Sequence, residues 1–283
     1  GAALALVEDE SFLQGQYADK CIYVENTLEA FWNIARYVRA GLSIPVVGIT
    51  GSIGKTTTKE ITVQVLKNVL GKGCFSKKSF NNHLGVPYTF CQLEPDDKWL
   101  VLEMGMNHAG ELKELSLLAQ PTIALITCIA PVHIEFFKSL DAIARAKLEI
   151  CSGLVENGMM LLNGDDLVLE KAWLEQEEET DSTCNKKTFG AVNKNDTFVS
   201  FSTVISRGFE GIELELKDAE SQINCKVPLL GSHNASNIAA AVSIVKAIDP
   251  IVSLEQCKKA LETIQPPAMR LNVHKLNNGN ILV

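Results

Sequence analysis

The feature that most constrains this chain is the stretch VVGITGSIGKTTTKEITVQVL, residues 46–66. An apolar run at its start predicts a buried strand, and the pattern from Lys55 onward predicts a helix. Between them lie Gly48, Gly51 and Gly54. Glycine has no Cβ, so backbone N–H groups of such a loop can close around phosphate oxygens. A strand, a glycine-rich turn and a helix in this order predict an α/β fold with a phosphate-binding loop.

The residues that follow the glycines indicate a nucleoside triphosphate bound with Mg²⁺. Lys55 would neutralise the β- and γ-phosphates, Thr56 would offer its hydroxyl to Mg²⁺, and the helix would add the positive end of its dipole. The loop reads GxxGxxGKT, one residue longer than the usual GxxxxGK[ST], because the nearest upstream glycine is Gly48. The alternative is a glycine turn that a lysine follows by chance.

The rest of the chain predicts a mostly parallel sheet flanked by helices, with a smaller antiparallel region. Continuous apolar strands alternate with helical patterns up to about residue 166, as in sheets that are covered on both faces. Among them, TIALITCIA (122–130) predicts a buried strand and LDAIARAKLEICSGL (140–154) predicts a helix. The polar stretch 174–187 predicts a solvated loop or a helix end. Beyond it, apolar and polar residues alternate as in antiparallel strands, and NASNIAAAVSIVKAI predicts a further helix. Near the N-terminus, a short strand precedes a helix capped near Asn26.

Composition excludes several classes of protein. The chain has 283 residues and a net charge of −8, with no basic block of the kind that nucleic-acid binders carry. No apolar run reaches the roughly 18–20 residues that span a bilayer. Eight cysteines occur without a CxxC pair, which is typical of reduced, intracellular proteins. We therefore expect a cytoplasmic monomer that binds neither nucleic acid nor membrane.

The glycine loop and five later motifs resemble the Mur ligases, the ATP-dependent amide ligases that build the peptidoglycan peptide. In chain order the motifs are NNHLGVPYT (81–89), LEMGMNHAGEL (102–112), PVHIEFF (131–137), ARAKLEI (144–150) and GSHNASNIAAA (231–241). The match covers roughly residues 44–283. The forms NNxxGVP and EMGxNHxGE look most like the branch that joins D-alanyl-D-alanine to UDP-N-acetylmuramoyl-tripeptide (UDP-MurNAc-tripeptide).

The resemblance implies a domain organisation and a reaction. Residues 43–283 would form the central, P-loop-containing ATP-binding domain, and 1–42 would be the end of a UDP-substrate-binding domain with its linker helix. A third domain is expected beyond the chain. ATP would convert the tripeptide carboxylate to an acyl phosphate, which the amine of D-alanyl-D-alanine attacks. A folylpolyglutamate or cyanophycin synthetase-like ligase and a truncated, non-catalytic nucleotide-binding paralogue remain as alternatives.

Three side chains suggest a metal site. Glu103 ends a buried strand, where a carboxylate needs Mg²⁺ or a salt bridge as its partner. His133 follows an apolar strand and could equally be a core histidine. Lys147 lies on an apolar helix face, where a snorkelling lysine is the alternative. The resemblance implies that these three residues and Thr56 hold two Mg²⁺ ions, with Lys147 carbamylated, and that Lys55, Lys147 and His133 are catalytic.

The resemblance also implies sites for the nucleotide and the acceptor. The nucleotide would contact Gly51, Ser52, Gly54, Lys55, Thr56, Thr57, Asn234, Asn237 and Arg270. For Asn234 the alternative is a helix N-cap, and for Arg270 a surface arginine after a proline linker. Asn81, Asn82 and His83 would lie beside the phosphates and the substrate carboxylate, or form only a polar turn.

Overall fold

A computed structural model describes residues 3–132, 137–179, 184–191, 197–266, 274–275 and 281–282. The chain begins with two short parallel strands, β1 (Ala5–Val7) and β2 (Cys21–Tyr23), followed by helix α1 (Thr27–Ala40). The Asn26 side chain accepts a hydrogen bond from the Glu29 N–H at 2.8 Å, which confirms the predicted cap.

A nine-stranded sheet follows. In chain order its strands are β3 (Val46–Thr50), β4 (Cys74–Phe75), β5 (Leu100–Glu103), β6 (Ile123–Ile126), β7 (Met159–Asn163), β8 (Asn185–Gly190), β9 (Thr197–Ser206), β10 (Ile212–Lys217) and β11 (Gln222–Val227). Their order across the sheet is β11-β10-β9-β8-β7-β6-β3-β5-β4. Strands β3 to β9 are parallel and β10 and β11 are antiparallel, which confirms the predicted mixture. Beyond the sheet, β12 (His274–Lys275) and β13 (Ile281–Leu282) form a separate antiparallel pair.

Helices cover both faces of the sheet. After α1 they are α2 (Lys55–Val69), α3 (Gly85–Phe90), α4 (Glu111–Ala119), α5 (Leu140–Leu148), α6 (Leu167–Glu179), α7 (Asn234–Ile248) and α8 (Leu254–Leu261). Helices α2, α7 and α8 pack together on one face, and the buried residues of α1, α4, α5 and α6 form a second core on the other. The central strands therefore bury both sets of side chains, which explains why they are apolar without alternation.

Three elements differ from the sequence-based expectation. The apolar run 122–130 forms a strand only over Ile123–Ile126, because the next residues leave the ladder to bond the glycine loop. The helix predicted from Leu140 to Leu154 ends at Leu148 and continues as a 3₁₀ turn, Glu149–Gly153. The stretch 174–187 contains the predicted helix end, but residues 185–187 belong to β8.

The topology creates a crevice at the carboxyl end of β3. From β3 the chain first runs to β4 and β5 on one side and then places β6 on the other. Open α/β sheets bind their ligands where the strand order reverses in this way. The glycine loop leaves β3 at this point.

Candidate active site

The glycine loop occupies residues 51–54, between β3 and α2. Gly51 has φ +138° and Gly54 φ +88°, conformations that residues with a Cβ rarely adopt. A Cβ on Gly51 would lie 2.0 Å from the Thr127 hydroxyl oxygen, and one on Gly54 would lie 2.5 Å from Asn237 Oδ1. Both glycines are therefore required by the conformation and by the space. Gly48, in contrast, lies inside β3 and pairs with β5 and β6, so the expectation that it forms part of the cradle is wrong.

The segment that follows β6 holds this loop in place. The Ser52 N–H donates to the Cys128 carbonyl at 2.8 Å, and the Ser52 hydroxyl donates to the Ala130 carbonyl at 3.1 Å. The Thr127 hydroxyl donates to the Ile53 carbonyl at 2.5 Å. These bonds join the loop to the neighbouring strand end, so its shape is fixed from outside as well as by its glycines.

Lys55 begins α2 and folds back over the loop. Its Nζ donates to the Gly51 carbonyl at 2.6 Å and to the Ser52 carbonyl at 3.1 Å. Helix α2 starts directly after Gly54, so its first N–H groups and the positive end of its dipole face the same space. The loop thus presents a cation, backbone donors and a helix N-terminus, the combination that binds phosphate groups.

Glu103 ends β5 directly opposite the start of α2. Its side chain is 1% exposed. The Thr56 hydroxyl donates to Glu103 Oε1 at 3.2 Å, and the Asn81 Nδ2 donates to the same oxygen at 2.9 Å. Residues from three separate motifs therefore meet at one carboxylate oxygen.

Lys59 also reaches this carboxylate, which sequence analysis missed. Its side chain is 0% exposed, and its Nζ lies 3.3 Å from Glu103 Oε2, an ion-pair distance without a hydrogen bond. The signal was present: Lys59 stands three residues after Thr56 and four after Lys55, so all three share a helix face. A lysine on the buried face of a helix needs a partner, and Glu103 was the buried carboxylate that the sequence already placed beside Thr56.

Lys147 lies on α5 and is 2% exposed. Burial first and the positive charge of Lys55 second lower its pKa to about 7, although the nearby Glu149 carboxylate acts in the opposite direction. A lysine in this setting is largely an uncharged amine slightly above neutral pH.

A cleft of about 740 Å³ opens in front of these groups. Its lining includes the glycine loop, Lys55, Asn81 and Lys147, and α1 contributes Trp32 and Arg36. The Glu149 carboxylate accepts from the Gly110 N–H at 2.8 Å, which ties the loop before α4 to the segment that carries Lys147.

The three predicted acceptor-side residues occupy different positions. Asn81 reaches Glu103, as described above. Asn82 Oδ1 accepts from the Leu84 and Gly85 N–H groups at 3.1 and 3.0 Å, so its side chain supports the start of α3. The exposed His83 accepts from the Trp32 indole N–H at 2.8 Å through its carbonyl, which connects α1 to this loop.

Asn234 and Asn237 lie in the first turn of α7. Asn237 Oδ1 accepts from the Thr58 hydroxyl at 3.2 Å, and Asn237 Nδ2 donates to Asn234 Oδ1 at 2.9 Å. Asn234 Nδ2 donates to the Leu230 carbonyl at 2.7 Å. The alternative that Asn234 caps its helix is wrong, because the cap position is His233 and the Asn234 side chain bonds a preceding carbonyl.

Three predicted site residues remain: Thr57, His133 and Arg270. Thr57 lies in the first turn of α2. His133 and Arg270 lie outside the described residues. Within the described ranges, no group of three or more His, Cys, Asp or Glu side chains is placed to hold a metal ion. In the same part of the chain, no helix has the length and apolar character needed to cross a membrane.

Comparison with known proteins gives the family. The model of the Mur ligase middle domain matches residues 49–245, which contain the glycine loop, Glu103, Lys147 and both asparagines of α7. The chain belongs to the Mur ligase family. The expectation from the sequence motifs is therefore confirmed.

Individual members of the Mur ligase family match nearly the whole chain. UDP-N-acetylmuramoyl-tripeptide–D-alanyl-D-alanine ligase from Buchnera aphidicola is 32% identical over 100% of the chain, and the protein of that name from Bacillus subtilis is 34% identical over 91%. The crystal structure of MurF from Acinetobacter baumannii superposes with a TM-score of 0.84 at 27% identity, covering 98% of the chain. The chain spans 59%, 53% and 58% of the length of these three proteins.

Proposed function

We propose that this chain binds ATP with Mg²⁺ and is the nucleotide-binding part of a ligase that joins D-alanyl-D-alanine to UDP-MurNAc-tripeptide. Its similarity to ligases of that name over 91–100% of its length supports the choice of reaction. The motif NNHLGVP (81–87) argues against the folylpolyglutamate and cyanophycin synthetase-like alternatives. Residues 43–283 would be the central domain and 1–42 the end of the preceding domain.

The observation that carries the proposal is the meeting of Thr56 with Glu103 beside the glycine loop. Mg²⁺ takes oxygen ligands and is usually held by one or two carboxylates, a hydroxyl, water and substrate phosphates. The Thr56 hydroxyl and Glu103 Oε1 lie 3.2 Å apart, and the Glu103 side chain is 1% exposed. These residues fit a Mg²⁺–nucleotide complex. When bound, the ion would neutralise charge that develops on the transferred phosphoryl group.

The other residues of the site would bind and orient. Lys55 would leave the loop carbonyls that it now bonds and pair with the β- and γ-phosphates. Gly51, Ser52 and Gly54 would admit the phosphates close to the backbone. Asn81 would keep Glu103 facing Thr56. In this account the protein provides positioning and charge neutralisation, and no side chain acts as a nucleophile.

A second Mg²⁺ and a carbamylated Lys147 belong to the same proposal. CO₂ reacts only with an uncharged amine, and the pKa of about 7 supplies that form of Lys147 near neutral pH. Carbamylation would replace an uncharged amine near Lys55 by an anion and would supply a further oxygen ligand. We propose His133 as a ligand of the same ion and Arg270 as a contact of the nucleotide.

The UDP-MurNAc-tripeptide and the nucleotide would meet in the cleft. Asn82, His83 and the α1 side of the cleft are proposed to face the tripeptide, with its carboxylate next to the glycine loop. Asn234 and Asn237 are proposed to face the nucleoside. The Asn237 side chain touches the loop through the space beside Gly54, which supports that assignment.

The test is an assay of the full-length natural protein that contains this sequence, with ATP, Mg²⁺, UDP-MurNAc-tripeptide and D-alanyl-D-alanine. We expect phosphate and UDP-MurNAc-pentapeptide in equal amounts. Product with folate and glutamate instead would favour the folylpolyglutamate alternative. Nucleotide binding without any acceptor-dependent phosphate release would favour the non-catalytic paralogue.

A further inference from the structure

Lys59 is a fully buried lysine to which the proposed reaction assigns no task. Lysine is almost never fully buried unless it is paired. Here the Nζ lies 3.3 Å from Glu103 Oε2 and 3.3 Å from Glu60 Oε1, and it donates to the Lys78 carbonyl. Lys78 has φ +52°, an uncommon conformation for a residue with a side chain. These three contacts fix the position of the Lys59 ammonium group beside Glu103.

The two oxygens of Glu103 consequently face different partners. Oε1 accepts from Thr56 and Asn81, while Oε2 lies toward Lys59. The backbone of Glu103 is fixed as well, because its N–H donates to the Ser76 hydroxyl at 3.2 Å. With Lys59 on one side, the carboxylate can present only Oε1 and its outer lone pairs to the space beside Thr56.

Stability alone explains this pair poorly. A buried ion pair loses much of its Coulomb gain to desolvation, and apolar side chains of similar volume often replace such pairs without loss. Most other buried positions of α2 are apolar, namely Ile61, Val63, Val65 and Leu66, and the polar ones are the small residues Thr58 and Thr62. A lysine would be unnecessary at position 59 if the only requirement were to fill space between α2 and β5.

We propose that Lys59 is a positioning residue of the metal–nucleotide site. It keeps the Glu103 carboxylate turned so that Oε1 faces the Thr56 hydroxyl, where the Mg²⁺ of the nucleotide would bind. This inference rests on the proposed function, because it gives Lys59 a task only if Glu103 and Thr56 hold that ion. In this role Lys59 would act through Glu103 and not by binding the phosphates or the ion itself.

The experiment compares metal-dependent with metal-free nucleotide binding. The chain and its Lys59→Gln, Lys59→Arg and Lys67→Gln variants are titrated calorimetrically with a non-hydrolysable ATP analogue, in Mg²⁺ and in EDTA. Lys67 is the matched control, since it is an exposed lysine of the same helix that lies over the Phe75 ring. Unfolding of each variant by urea shows that it is folded.

We expect the affinity of Lys59→Gln in EDTA to stay within about threefold of the original, because the loop, Lys55 and the helix N-terminus are unchanged. The enhancement by Mg²⁺ should fall by about tenfold or more, because the buried Glu103 carboxylate loses its charged partner. Lys59→Arg should fold with its charge retained and recover most of that enhancement. Lys67→Gln should match the original chain.

Each other result has a defined meaning. An unchanged Mg²⁺ enhancement in folded Lys59→Gln would overturn the inference, as would equal losses with and without Mg²⁺. If Lys59→Gln does not fold, Lys59→Arg decides, since recovery of the enhancement supports the inference and its loss in a folded protein contradicts it. If the original chain binds no analogue in either buffer, the proposed function fails and this inference falls with it.

Discussion

The burial of Lys147 predicts an unusual dependence of stability on pH. Its pKa falls from the usual 10.5 to about 7 in the folded protein. At 1.36 kcal/mol per pH unit, this difference corresponds to a cost of about 5 kcal/mol for keeping the lysine buried below pH 7. The unfolded chain binds more protons than the folded one between pH 7 and 10.5. The cost is therefore fully present below pH 7 and is relieved as the pH rises toward 10.5.

Lys147→Met removes this titration, because methionine fills the space without a charge. At pH 6 the variant should be more stable than the original chain by several kcal/mol. At pH 9 the remaining cost of Lys147 is about 2 kcal/mol, so the advantage of the variant should shrink by about 3 kcal/mol. Burial is the main cause of the lowered pKa and the charge of Lys55 the second.

The assay is urea unfolding in CO₂-depleted buffer, followed by the fluorescence of the three tryptophans. Lys113→Met, at an exposed position of α4, is the matched control and should show no such trend. If the stabilities of Lys147→Met and the original chain run parallel from pH 6 to pH 9, the reasoning about Lys147 is refuted.

Two further predictions concern the same site. Gly54→Ala should lose about 1–3 kcal/mol of stability and most nucleotide affinity, because alanine is strained at φ +88° and its Cβ would lie 2.5 Å from Asn237 Oδ1. Gly208→Ala, at φ +61° with open space around it, is the control, and an equal effect of both in urea unfolding would exclude the Asn237 clash as a cause. If Lys147 is carbamylated, the chain in ¹³C-bicarbonate should show a ¹³C carbamate resonance by NMR that the Lys147→Met variant lacks. If the Lys147→Ala variant of the full-length enzyme keeps its activity, the catalytic role of Lys147 is contradicted.

Local patterns predicted the parts of the fold that local physics determines. The glycine loop, the start of α2 and the Asn26 cap depend on neighbours within a few residues, and the structure has them where the sequence indicated. The segment after β6 was predicted as strand because it is apolar, yet its hydrogen bonds go to the glycine loop instead of a neighbouring strand. Hydrophobic periodicity cannot reveal that the glycine loop competes with a strand for these hydrogen bonds, since Ile53 of the loop is 75 residues from Cys128.

At the candidate site, too, the sequence indicated individual residues but not all of their contacts. Glu103 was recognised because a carboxylate at the end of a buried strand is costly without a partner. Its actual partners come from α2 and from the loop before α3, and the sequence separately suggested Thr56 and Asn81 but not Lys59. The contact between Asn237 and Gly54 joins residues 183 positions apart, and only the packing of α7 against α2 brings them together.

The most direct test of the account is calorimetric titration of this chain with a non-hydrolysable ATP analogue, with and without Mg²⁺, beside Lys55→Ala. We expect binding that Mg²⁺ strengthens and that Lys55→Ala abolishes, because Lys55 and the glycine loop would supply the phosphate contacts. Equal binding by Lys55→Ala, or binding that is indifferent to Mg²⁺, would contradict the assignment of the loop and of Glu103 as the metal–nucleotide site.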